Sequence, residues 1–147
     1  MRENVQGKVK KLFITHNDIA KTRESVDAVE VDPKGIKIDK FYGTNEERSV
    51  LITSTQSYDM ALNQGIELSH GALGENILID INPYHLLAGD RFTIGKVEFE
   101  ITQNCTLCKG LSSVNSKLPK LLKNDRGIFA KVISTNGYIQ KGDGVEI

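Results

Sequence analysis

The chain has 147 residues, with 19 basic and 19 acidic side chains cancelling to a formal charge of zero, 39% hydrophobic residues, 26% charged residues and 13 glycines. Those values describe an ordinary globular protein, expected as a single domain over 1–147, and exclude disordered, collagenous and membrane classes. The neutral balance gives no reason to expect nucleic acid or an anionic membrane as partner.

The polar start MRENVQG has no apolar core of a signal peptide, and no apolar run approaches the roughly 18 residues of a membrane span. A cytoplasmic protein with reduced thiols is the expectation. In chain order, short runs rich in β-branched residues alternate with Gly, Asn, Asp and Pro, the pattern of an all-β sandwich or barrel rather than of βαβ units. Val9 to His16, Ser25 to Val31 and Arg48 to Thr53 read as strands.

A short helix is predicted over Ser57 to Gln64, where Tyr58, Ala61 and Leu62 share a face and Gly65 follows as a C-cap. The next strand is Asn76 to Ile81. Arg91 to Ile94 and Val97 to Thr102 are joined by Gly95-Lys96, a two-residue link in which Gly supplies the positive φ of a tight hairpin. Alternation of Val97, Phe99 and Ile101 with Glu98, Glu100 and Thr102 makes one face of that strand buried and the other wet. A second helix is predicted from Lys117 to Asn124, with Pro119 in its first turn. Ile128 to Ser134 and Val145 to Ile147 complete the strands.

Four clusters carry candidate chemistry. GIKIDKFYG (35–43), followed by Arg48, is a glycine-bounded loop whose Asp39, Lys40 and Arg48 suit an anionic ligand, or else a solvated turn. GALGENI (71–77) allows close backbone approach at Gly74 and offers Glu75 and Asn76 as polar contacts, or else is a turn in which Asn76 satisfies its own backbone. In QNCTLCKG (103–110) the two cysteines, Cys105 and Cys108, follow a strand, and Lys109 adds charge that favours a thiolate. A zinc site there needs two more ligands from His16, His70 and His85, none at finger-like spacing. The fourth cluster is a pair of Gly-Asp steps, Gly89-Asp90 and Gly142-Asp143, each before a strand and each read as a structural turn.

Taken together, GIKIDKFYG with Arg48, GALGENILI, LLAGDRFTIG, the cysteine after VEFEITQ and RGIFAKVISTNGYIQKGDGVEI resemble the MOSC family, named for the C-terminal domain of molybdenum-cofactor sulfurase, from about Val9 to Ile147. The resemblance implies a mainly β fold, a partly closed barrel with a few short helices, whose loops surround a cleft holding a reactive cysteine. It implies that Cys108 carries sulfur as a persulfide or ligates molybdenum, with sulfurtransferase-like or molybdenum-cofactor-dependent activity. The partner implied is a cysteine desulfurase, which brings pyridoxal phosphate, or a molybdenum-cofactor enzyme.

On this reading Asp39, Lys40, Arg48, Gly74, Glu75, Asn76 and Lys109 hold the cofactor or anion, and Cys105 assists as a resolving thiol. The sequence departs from the family where Ile38 and Phe41 stand in place of a glycine and a histidine, and where Leu107 replaces a proline. Two alternatives remain open: a non-catalytic module that binds a pterin or other anion, and a redox or zinc protein built on the Cys105–Cys108 pair.

Overall fold

The computed structural model describes residues 6–16, 18–19, 23–105, 115–134 and 136–147. Its strands are β1 (Gln6–Thr15), β2 (Arg23–Val26), β3 (Ala28–Asp32), β4 (Gly35–Ile36), β5 (Val50–Ser54), β6 (Ile77–Ile79), β7 (Arg91–Ile94), β8 (Val97–Asn104), β9 (Ile128–Val132), β10 (Gly137–Gln140) and β11 (Gly144–Glu146). A 3-10 turn (Glu46–Arg48) precedes β5, helix α1 (Thr55–Asn63) follows it, and α2 (Leu118–Leu121) is a single turn.

The main sheet runs β11-β7-β8-β9-β5-β6-β1-β2, and a further β11–β1 pairing closes seven of these strands into a barrel. β1 is long enough to serve two neighbours in turn, with Gln6 to Lys8 opposite β11 and Leu12 to Thr15 opposite β2. β5 and β6 form the parallel pair, and α1 supplies part of their connection as such a pair requires. The expected partial closure is thus a full one.

Alternation builds the interior. On β8, Val97, Phe99 and Ile101 are buried while Glu98, Glu100 and Thr102 stay partly wet, and Phe99 stacks on Phe92 of β7 at 5.3 Å between centroids. Leu12, Ile14, Ile52, Ile77, Ile79, Ile94, Ile128 and Val145 complete a core of almost wholly buried side chains. A second sheet, β10-β3-β4, adds Val29, Val31, Ile36 and Ile139 to that core.

Ser54 Oγ accepts the Gln56 amide and starts α1. Its apolar face, Tyr58 and Ala61, packs on Leu73, Leu78, Leu118 and Leu122. Leu62, expected on that face, is exposed. The helix stops at the C-cap Gln64, with Gly65 at φ +77° just beyond.

The run 25–31 is two strands, not one, because the chain changes sheets at Asp27. β10 was not expected, since its glycine-flanked sequence reads as a turn. The two Gly-Asp steps are equivalent turns: Asp90 Oδ2 accepts the Leu87 amide and Asp143 Oδ2 the Gln140 amide, each at 2.8 Å, with Gly89 and Gly142 at positive φ.

Candidate functional site

Two of the loops singled out by the sequence meet at Asn76, which also bonds Leu51 of β5. Asn76, immediately before β6, donates its backbone amide to Leu51 O (2.8 Å) and accepts the Leu51 amide on its side-chain Oδ1 (3.0 Å). On its other side the Phe13 amide of β1 donates to Asn76 O (2.7 Å), and Asn76 Nδ2 donates to Phe13 O (3.3 Å). The amide side chain therefore continues both ladders where the backbone alone cannot. Nδ2 also lies 3.3 Å from Asp39 Oδ1, which accepts the Thr15 amide at 2.7 Å, while Asp39 Oδ2 accepts the Phe41 amide at 3.0 Å.

Glu75 is fully buried. Its Oε2 accepts the Tyr58 hydroxyl (2.5 Å) and the Gly71 amide (3.2 Å), and Oε1 has no hydrogen-bond partner among the described residues. Two guanidinium groups face the carbonyls of the same loop. Arg23 donates to Glu75 O, to Gly71 O at 3.4 Å and to Gly74 O at 3.5 Å, with Thr15 Oγ1 as a further acceptor at 3.0 Å. Arg126 donates to Leu73 O from Nε (3.3 Å) and Nη2 (3.2 Å).

Burial, reinforced by the adjacent Glu75 charge, pushes the Tyr58 hydroxyl pKa well above the ordinary tyrosine value. Burial also lowers that of Arg23, against the opposing pull of Glu75 and Asp39. Gly74 sits exposed at φ +87°, a conformation that suits glycine. Asp39 and Asn76 are thus joined to backbone and to each other, and Glu75 to Tyr58 and the Gly71 amide, inside the loops that they brace.

Arg48 and Lys40 are only half-buried. The Arg48 guanidinium lies 4.8 Å over the Phe129 ring, and Lys40 Nζ lies 4.8 Å over the Phe41 ring. Phe129 is the residue of β9 opposite Leu51 and opposite Gln103 of β8, so the Arg48 site adjoins the braced loops. Two residues earlier Gly127 passes very close to β5: a Cβ there would meet Thr53 Oγ1 at 2.9 Å and both Ile52 O and Leu51 Cδ1 at 3.0 Å.

Cys105 follows β8, is buried, and donates its amide to Gly127 O (3.0 Å). Cys108 and Lys109 lie outside the described residues. Of the residues named from the sequence, Asp39, Asn76 and Glu75 come together, while Arg48, Gly74 and Cys105 border the same region through Phe129, Leu51 and Gly127. Arg23, Tyr58, Arg126 and Phe129 were not assigned roles. Arg126 and Phe129 are within RGIFAK, where arginine next to a close-packed glycine was the available signal; nothing local marks Arg23.

The sequence profile of the MOSC domain matches residues 39–146. The chain belongs to the MOSC-domain family. Comparison with curated proteins gives no match. Among solved structures, this MOSC domain is similar to the YUAD protein from Bacillus subtilis, with a TM-score of 0.84 and 19% identity over 99% of this chain and 97% of that one. It is also similar to YiiM from Geobacillus stearothermophilus (TM-score 0.72, 17% identity, 96% of this chain and 75% of that one) and to YiiM from Escherichia coli (0.69, 18%, 97% and 69%).

At those identities the likeness is one of fold. MOSC domains in general are associated with binding the molybdenum cofactor. No helix among the described residues is long and apolar enough to cross a membrane, and among them no three His, Cys, Asp or Glu side chains are grouped to hold a metal ion.

Proposed function

We propose that this MOSC domain carries sulfur on Cys108 as a persulfide, taken from a cysteine desulfurase and passed to an acceptor. The observation that supports the reading is that Asp39 and Asn76, from two of the family's motifs, bond each other, and that Asn76 is tied to Leu51, whose β9 partner Phe129 lies opposite Gln103 near the end of β8, a strand that ends four residues before Cys108. Uptake needs the thiolate, which attacks the outer sulfur of the donor's persulfide. A new S–S bond forms on Cys108, the donor S–S bond breaks, and the electron pair leaves on the donor thiolate, so no oxidant is required.

Arg48, Lys40 and Lys109 favour the anionic reactants. Asp39, Glu75 and Asn76 act by holding the loops in place, since their bonds run to the protein's own backbone and side chains. Cys105 serves as the resolving thiol.

A half-buried guanidinium whose cavity is lined by no carboxylate among the described residues also fits the anionic part of a molybdenum cofactor, which supplies two-electron redox chemistry when bound. In that second reading the Cys108 thiolate ligates the metal, and Arg48 and Lys40 hold the phosphate. Intact mass spectrometry after incubation with a cysteine desulfurase and free cysteine tests the first reading. One sulfur atom is expected on Cys108, removable by reductant and absent from Cys108→Ser; equal uptake by that variant would defeat it. Stoichiometric molybdenum in the purified protein selects the second reading, and stoichiometric zinc overturns both.

A further inference from the structure

Helix α1 buries Tyr58 and Ala61 against Leu118 and Leu122 but leaves Leu62 56% exposed. Two hollows open along this α1–α2 layer. One, of about 550 Å³, has Asp59, Glu67, Leu62 and Leu68 in its wall. The other, of about 620 Å³, has Lys117, Lys120, Leu121 and Gln64. They are neighbours, because Leu62 lines the first and Gln64, the C-cap of the same helix two residues on, lines the second.

The hollows have opposite sign. Among the described residues no lysine or arginine lines the first, and no carboxylate lines the second. Asp59, Glu67, Lys117 and Lys120 are all exposed, and none of the four forms an ion pair among the described residues. Elsewhere on the surface charges do pair, as Lys37 with Glu30 at 2.6 Å and Lys131 with Glu47 at 3.4 Å and Glu100 at 3.6 Å. Each hollow also offers leucine surface that a partner could take out of water.

A partner of uniform charge fits only half of this layer. An anionic membrane or a nucleic acid would meet Lys117 and Lys120 but bring its phosphates against Asp59 and Glu67, and a basic protein surface would do the reverse; like charges set face to face are costly. The partner has to carry a basic patch beside an acidic one, with apolar surface between. A second copy of this chain does so. Turned about a two-fold axis near Leu62, each chain sets its acidic hollow against the basic hollow of the other, and every charged contact is made twice.

We infer that the α1–α2 layer is a self-association surface, on which two copies of this chain pair about a two-fold axis with Asp59 and Glu67 of each facing Lys117 and Lys120 of the other. The inference rests on neither Cys108 nor the sulfur-carrier reading. Sedimentation equilibrium of the full chain, from micromolar to submillimolar concentration, tests it.

A reversible monomer–dimer equilibrium is expected, weakening as salt is raised because the charges are exposed. Leu62→Glu brings two carboxylates together at the axis and should raise the dissociation constant at least about tenfold. Lys117→Glu with Lys120→Glu makes both hollows acidic, and Asp59→Lys with Glu67→Lys makes both basic. Each of these doubly substituted chains should fold, since the altered side chains are exposed, and should be monomeric alone. Mixed in equal amounts, the two are expected to form a dimer again, because each then meets its opposite at both hollows. A chain that stays monomeric throughout, a dimer indifferent to these substitutions, or reversed chains that fail to pair with each other would each overturn the inference.

Discussion

Asn76 and Asp39 are 37 residues apart in sequence, yet the side-chain amide of one lies 3.3 Å from the carboxylate of the other inside the protein. The contact links the loop after β4 to the loop before β6, and through the remaining bonds of Asn76 it ties both to β1 and β5. Asn76→Leu would keep the volume and strand both the Leu51 amide and Phe13 O without partners. At about 1–3 kcal/mol for each buried unsatisfied group, a loss of about 2–6 kcal/mol is expected, read as a lower urea midpoint at unchanged slope.

Gly127→Ala is a second test of packing. The added methyl would collide with Ile52 O and Thr53 Oγ1, and backbone atoms of a central strand cannot yield cheaply. Overpacking of this kind costs about 1–3 kcal/mol, so a lower thermal midpoint is expected, while Gly142→Ala, with nothing near its Cβ, should suffer only from its positive φ.

Arg23 donates to three carbonyls of one loop and sits in the field of Glu75 and Asp39. Replacing it by Met would leave those carbonyls without their guanidinium and remove a positive charge from the field of Glu75 and Asp39, a change expected to cost about 1–3 kcal/mol. Arg23→Lys keeps the charge but not the fork that reaches several acceptors, and should fall between the two in chemical denaturation. Equal stability of all three proteins would show that the loop is held by other contacts.

Alkaline pH offers an independent check. Burial raises the pKa of both Tyr58 and Tyr84 in the folded state above the unfolded value of 10.0, with Glu75 reinforcing the shift at Tyr58. Their contribution is therefore complete below about pH 10 and declines as pH rises further, by about 1.4 kcal/mol per pH unit for each group. Phenolate absorbance from these two should appear only together with loss of native structure. Smooth ionisation of all four tyrosines in the folded protein would contradict the buried bonding described.

The strands with strict alternation were readable because burial on one face writes itself into every second residue, as on β8. The Gly-Asp turns were readable for a similar local reason. β10 and the break at Asp27 were not, since both depend on which sheet a segment joins, a long-range choice with no local mark. At the candidate site, residue types announced Asp39, Glu75 and Asn76 as polar but not the direction they face. Inward bonding to Thr15, Tyr58 and Leu51 is a product of the barrel's closure, and Arg23 enters the cluster only because β2 folds back along β1.

The pairing of β1 with β11 joins Gln6 to Glu146, so the ring of strands is completed by almost the first and almost the last residues of the chain. During synthesis the barrel stays open until β11 has been made, leaving the edges of β1 and β7 exposed to other chains until then. Removing only Gly144–Ile147 would reopen the cylinder permanently, so loss of those residues is expected to convert a closed barrel into an aggregation-prone sheet.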